Sequence, residues 1–240
     1  MLIRSWHERQ ARAEQKTQAL LEFLCTEIWT MYPVIGWLIG DGSKPAPRQT
    51  VHNLVTRLER DGLLRTWRPE RISDTDRGGR HVYVGIRRQG RIRVGADPEA
   101  RVFEPRQLGD AAKRDHKLFA QKVRILLTAR GWSDWEVPEQ HWRDENGRAW
   151  PVLSDYVCHK DGITYAIEAE RTLKSSSRYN EVWQNHIDAV MDGRWSTVLY
   201  CLPSAREKAS FETIRQRSKP GKSSIFSVTT IDELLSISKA

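Results

Sequence analysis

Apolar residues along the chain follow two periods, and the change from one to the other marks out the elements. In "RQTVHNLVTRLERDGLL", Val51, Leu54, Val55 and Leu58 stand at i, i+3, i+4 and i+7, a single apolar stripe that predicts an amphipathic helix with Gly62 as its stop. Upstream, residues 15–40, "QKTQALLEFLCTEIWTMYPVIGWLIG", keep helical spacing, and Pro33 predicts the break between two helices. After the stripe, "LLRTWRPERI" and "GGRHVYVGIRR" read as strands around a polar stretch, so a hairpin is expected. Residues 95–110, "GADPEARVFEPRQLGD", have no clean period and read as a linker, with the domain boundary there.

Beyond it, "AAKRDHKLFAQKVRILLTAR" predicts a helix closed by Gly131. Three strands follow, "WEVPEQHW", "VLSDYVCH" and "ITYAIEAE", then the helix "SSSRYNEVWQNHIDAVMDG", the strand "STVLYCLP", the helix "SAREKASFETIRQR", the strand "SIFSVTT" and a terminal helix. The predicted order is αβββαβαβ. The Asp161-Gly162 dipeptide is the favoured two-residue hairpin loop, and it pairs Lys160 with Ile163 and therefore Asp155 with Glu168. Alternation then puts Glu170 on the face of Glu168, while Tyr165, Ile167 and Ala169 point to the other face, toward the core. The facing acids would have Cβ atoms ~5 Å apart, with the diagonal partner ~7 Å away. Like charges that close repel unless they are solvated or share a cation, and Mg²⁺ (or Mn²⁺) suits one or two carboxylates with water and phosphate oxygens in the remaining positions. The plainer reading is the wet face of a half-exposed hairpin, neutralised in part by Arg171 and Lys174.

Charge sharpens the first half. Lys and Arg number 39 against 31 Asp and Glu, and the excess concentrates between Leu64 and Arg93, where nine arginines meet three acids. Such a block suits a polyanion or forms a solvated face. The polar face of the 48–60 helix offers Arg48, Gln49, His52, Asn53, Thr56 and Arg57, types that reach base edges and phosphates from a major groove. Lys44, Arg65, Arg77 and Arg80 stand beside it as phosphate contacts. Double-stranded DNA is the expected partner, and a docking module for protein alone is the alternative. Single-stranded DNA would stack on Trp67, Trp142 or Trp150, although burial explains tryptophan as well. Cys25, Cys158 and Cys201 sit in apolar surroundings without a CxxC pair, so buried free thiols in a reducing compartment are expected. No apolar run reaches membrane-spanning length, and a cytoplasmic protein without membrane insertion is expected. The seven histidines are scattered, with no HxH cluster. Tyr179, which begins a helix near the acids, is the candidate for covalent chemistry should a side chain attack.

Helices followed by a basic hairpin describe a winged helix, and "TVHNLVTRLERDGLLR" resembles the recognition helix and first wing strand of bacterial winged helix-turn-helix proteins. The later αβββαβ order, with an acid near the end of its second strand and an acid-x-acid pair on its third, resembles the PD-(D/E)xK nuclease core. Two departures stand out: Pro151 precedes Asp155 by four residues, and Glu170 occupies the usual lysine position. As a whole the chain resembles the replication-relaxation family, most closely the MobC-type relaxases of mobilisable plasmids, through "HKLFAQKVRILL", "IEAERTLKS" and the order of elements. The resemblance implies an α+β or α/β chain in three parts: a winged-helix DNA-binding domain over 1–95, a linker over 96–110 and a restriction-endonuclease-like domain over 111–240. It implies that Asp155, Glu168 and Glu170 position Mg²⁺ or Mn²⁺, and that Lys174, or Arg171 in its place, offsets charge on the transferring phosphate. His116 would orient the water or touch the scissile phosphate, its other reading being a helix-surface histidine. The implied activity is a site- and strand-specific nick at a plasmid origin of transfer, made by water without a covalent tyrosine intermediate. An accessory mobilisation protein and a coupling ATPase are the implied partners. A non-catalytic DNA-binding replication or regulatory protein on a decayed nuclease fold is the alternative.

Overall fold

The computed structural model describes residues 5–69, 81–137, 154–218, 220 and 223–236. They form an α+β chain that divides into two compact units, Met1–Gln121 and Lys122–Ala240.

In the first unit, Ser5 opens α1 (Trp6–Glu27) with a capping box: its hydroxyl accepts the Glu8 N–H at 3.2 Å, and the Glu8 carboxylate accepts the Ser5 N–H at 3.0 Å. The chain then turns through Ile28, at φ 70°, into β1 (Trp29–Met31) and α2 (Tyr32–Leu38). The helix break expected at Pro33 therefore falls five residues earlier, and a strand occupies it. Pro33 lies in the first turn of α2, where its missing N–H is no loss and its fixed φ suits the helix.

The predicted stripe is the buried face of α3 (Arg48–Arg60): Val51, Leu54, Val55 and Leu58 pack into a core with Leu20, Leu21, Leu24, Ile35, Ile39, Leu64, Val84 and Ile86. Each such side chain contributes roughly 1.5–3 kcal/mol by leaving water. The expected hairpin is present as β2 (Leu64–Trp67) antiparallel to β3 (Tyr83–Ile86), and β1 adds to the free edge of β3, giving the order β1-β3-β2. A short helix that periodicity did not signal, α4 (Arg88–Arg93), follows. Its Arg91 is buried and donates to the carbonyls of Cys25 and Arg101, each at 3.0 Å, so one arginine of the basic block serves the fold. In the 96–110 segment, Phe103 and Leu108 are buried with Ile28, Trp29, Met31 and Tyr83. A Cβ at Gly85 would sit 2.1 Å from Phe103, so this strand position needs glycine. The helix α5 (Ala111–Thr128) begins in this unit, where buried Gln121 donates to the Trp29 carbonyl and accepts the Thr30 hydroxyl proton, both at 2.7 Å.

The second unit carries a sheet of β4 (Ser133–Glu136), β5 (Tyr156–Lys160), β6 (Ile163–Ala169), β7 (Thr197–Leu202) and β8 (Phe226–Thr230), in that spatial order. The first three strands are antiparallel and the last three parallel. Between the parallel strands run α6 (Ser176–Met191) and α7 (Ala205–Ser218), and α8 (Ile231–Ser236) follows β8. This is the element order read from periodicity; Pro151, and the expected turn at 143–150, lie outside the described residues. Asp161 and Gly162 both take positive φ, 51° and 77°, and the register runs from Tyr156 opposite Ile167 to Lys160 opposite Ile163, as the Asp-Gly turn predicts.

The plainer alternative for this hairpin, a wet acid-bearing face, does not hold. Ala166 and Ile167, on opposite faces of β6, are both fully buried, so the acid-bearing face is not a wet one. Parallel pairing with β7 makes β6 a central strand, and the crossover helix α6 covers the face that an isolated hairpin would leave to solvent. That face is closed by Val157, Ala166, Val198 and Tyr200 from the sheet with Tyr179, Trp183, Ile187 and Phe211 from the helices. Among the described residues, no helix is long and apolar enough to cross a membrane. The three cysteines are free, and burial pushes the Cys158 thiol up to about 12.

Candidate functional site

Three acids of the second unit, Asp155, Glu168 and Glu170, lie near the end of β6. Asp155 immediately precedes β5, its N–H bonded to the Ile167 carbonyl at 3.0 Å, and its Oδ2 accepts the Ala169 N–H at 2.8 Å. The carboxylate is thereby fixed on the residue between Glu168 and Glu170. These two glutamates share a strand face, about 7 Å apart along the chain direction at the usual rise per residue. The ladder continues past β6 through the Glu170 N–H, which reaches the Cys201 carbonyl at 3.0 Å, so Glu170 is as firmly placed as a strand residue.

Each glutamate has one basic companion. Lys174, four residues on and just before the α6 cap residue Ser175, forms an ion pair with Glu170; the lysine is 36% exposed and the carboxylate 6%. Glu168, 13% exposed, meets His186 of α6, whose Nε2 lies 3.1 Å from Oε1 and whose ring is wholly buried. Burial pushes the Glu170 carboxyl above its ordinary range; Lys174 opposes this and Glu168 adds to it. Beneath the pair lie Tyr179 and Tyr200, their phenols pushed up first by burial and then by the carboxylate charges. The hydroxyls of both, with Trp183 Nε1 and His186 Nδ1, are buried and lack a well-formed hydrogen bond. Tyr179 is also closed off, stacked on Trp183 with ring centroids 5.2 Å apart.

Among the described residues no three His, Cys, Asp or Glu side chains converge as a metal-holding group. A hard cation such as Mg²⁺ does not require three, since it takes one or two carboxylates and fills its other positions with water and phosphate oxygens. Glu168 and Glu170, two carboxylates on one strand face with the Tyr179 hydroxyl beside Glu170, fit that demand. His116 is exposed on α5, in the part of that helix belonging to the first unit.

In the first unit, α3 turns Gln49, His52, Asn53 and Thr56 to solvent, and Gln49 donates to Asn53 Oδ1 at 2.7 Å. Arg48 at its start, Arg65 on β2 and Lys44 before the helix are exposed. Arg57 differs: it is half-buried, with its guanidinium donating to Thr17 Oγ1 of α1 at 2.6 Å. Arg77 and Arg80, like Trp142 and Trp150, lie outside the described residues, and Trp67 is half-buried against Tyr83. Sequence reasoning overlooked His186, although its signal was present: Tyr179, Trp183 and His186 recur at helical spacing on the apolar face of α6.

Compared with family models, with curated proteins and with solved structures, the chain finds no match.

Proposed function

We propose that the chain binds duplex DNA through its first unit and nicks one strand with its second, as a relaxase acting at a plasmid origin of transfer. The observation that carries the hydrolytic part is the bond from Ala169 N–H to Asp155, which holds that carboxylate at the residue between Glu168 and Glu170. On this reading α3 and its neighbours form a winged helix that reads the major groove with Arg48, Gln49 and Asn53, while Lys44, Arg65, Arg77 and Arg80 hold phosphates. Glu168 and Glu170 would hold Mg²⁺ or Mn²⁺, with Asp155 completing the acidic edge. When bound, such an ion lowers the pKa of the attacking water and offsets charge on the phosphate. Lys174, the exposed member of its ion pair, is placed to turn from Glu170 to a phosphate oxygen. Burial of Tyr179 and the rise of its phenol pKa favour water over this tyrosine as the nucleophile. The unpaired strand, an accessory mobilisation protein and a coupling ATPase complete the proposed set of partners.

A second reading has its own observation. Each glutamate already has a partner within the protein, His186 or Lys174, as a non-catalytic DNA-binding platform would have it. Mg²⁺-dependent relaxation of supercoiled plasmid carrying the origin separates the two. Glu168→Ala should abolish nicking while leaving DNA binding intact or tighter, because a carboxylate that repelled the backbone is gone. Nicking at the wild-type rate in this variant would leave the non-catalytic reading standing.

A further inference from the structure

Glu168 is held from within the fold by a residue with no other polar engagement. His186 stands on α6 at the centre of the helical layer, wholly buried, with the rings of Trp195, Tyr200 and Phe226 around it at centroid distances of 5.5, 6.4 and 6.5 Å. Within that cage Nε2 lies 3.1 Å from Glu168 Oε1. Nδ1 points into the protein without a hydrogen bond. Burying a polar nitrogen unpaired costs free energy, and an aliphatic side chain would fill the space without that cost. What the imidazole adds is therefore its contact with Glu168. The contact engages Oε1, and the Nε2–H tautomer of the imidazole is the one that would donate to it.

We infer that His186 is a positioning residue that orients Glu168 as a ligand for a hard divalent cation, an inference that rests on the metal-centre reading above. Lys174 and His186 then have different tasks. Lys174, a third exposed, can leave Glu170 when a phosphate enters, whereas the enclosed His186 stays on Glu168 throughout. Hydrogen-bonded partners of this kind tune metal affinity through the geometry and basicity of the ligand they hold.

Mn²⁺ binding to the full chain, measured by calorimetry without DNA, tests this together with nicking. Glutamine can place an amide N–H where Nε2 stands, and asparagine, shorter by one methylene, cannot reach Glu168; both are polar and similar in bulk. His186→Asn should weaken Mn²⁺ binding by about 10–100-fold, the usual effect of losing such a partner. His186→Gln should restore most of the affinity. The Mg²⁺ concentration for half-maximal nicking should rise in His186→Asn by a similar factor, with the rate recovering at saturating Mg²⁺ and DNA binding unchanged. Glu168→Gln should lose Mn²⁺ binding altogether. Should His186→Asn not fold, His186→Gln carries the test, and a loss of Mn²⁺ affinity there with an unchanged thermal melt overturns the inference. Wild-type affinity in His186→Asn, with binding lost in Glu168→Gln, overturns the role of His186 and leaves the metal centre standing. Absence of Mn²⁺ binding by the wild type brings down both.

Discussion

Replacing Asp155 separates its structural work from its chemistry. Its Oδ2 accepts the N–H of Ala169, a residue only 1% exposed, so removing the carboxylate strips that N–H of its partner. A buried donor left unpaired costs about 1–3 kcal/mol. Asp155→Ala should therefore destabilise the second unit by that amount, lowering the melting temperature by roughly 2–4 °C per kcal/mol for a chain of this size. This reverses the expectation for a solvated hairpin, where removing one of two facing acids relieves repulsion and stabilises. Asp155→Asn keeps a carbonyl oxygen for Ala169 and loses only the charge, so its cost should stay below about 1 kcal/mol, the difference between a charged and a neutral acceptor. Both variants should lose nicking of supercoiled plasmid in Mg²⁺, and both should retain DNA binding. Urea unfolding followed by tryptophan fluorescence, run beside the nicking assay, gives both readouts from one preparation. Wild-type stability in Asp155→Ala would show that the hydrogen bond contributes nothing. Nicking by a stable Asp155→Asn at the wild-type rate would refute the hydrolytic role.

Tyr179→Phe removes a buried hydroxyl beside Glu170, so stability should fall by no more than about 0.5–1.5 kcal/mol and nicking should persist; loss of nicking with an unchanged melt would restore the covalent mechanism. Arg48→Ala and Asn53→Ala should each weaken specific DNA binding by on the order of 1–3 kcal/mol if they touch bases. Arg57→Ala should act mainly on stability, by about 0.5–1.5 kcal/mol, because its guanidinium is committed to Thr17; fluorescence anisotropy and melts distinguish the two patterns. Glu233 is held below the usual carboxylate range, chiefly by the hydrogen bond from Lys208 and also by the Thr230 N–H and the Thr229 hydroxyl. A depressed folded pKa gives stability that is present above the unfolded value of about 4.3 and lost as pH falls through the folded one, so the gap between wild type and Glu233→Gln in urea should close on acidification and persist at pH 7.

Where local rules suffice, the linear chain already carried the answer. The α3 stripe, the Asp-Gly turn and the β5–β6 register depend on helical period, on strand alternation and on the positive φ that Asp161 and Gly162 adopt, all properties of neighbouring residues. The positions of Asp155, Glu168 and Glu170 near one another follow from the same register. Lys174, four residues from Glu170, was legible for the same reason.

What those rules could not supply depends on elements far apart in sequence. The strand Trp29–Met31 looked helical because its three residues carry no alternation of their own, and pairing with β3, over fifty residues later, makes them a strand. Arg91 reads as one more surface arginine until the carbonyls of Cys25 and Arg101 are brought to it. The acid-bearing face of β6 reads as wet because a hairpin taken alone has two exposed faces. Parallel pairing with β7 obliges the chain to cross over, the crossover helix roofs that face, and His186 arrives with it at Glu168. Turn and period act over a few residues; burial is decided by which distant segment covers a surface, and that choice left Glu168 and Glu170 only 13% and 6% exposed.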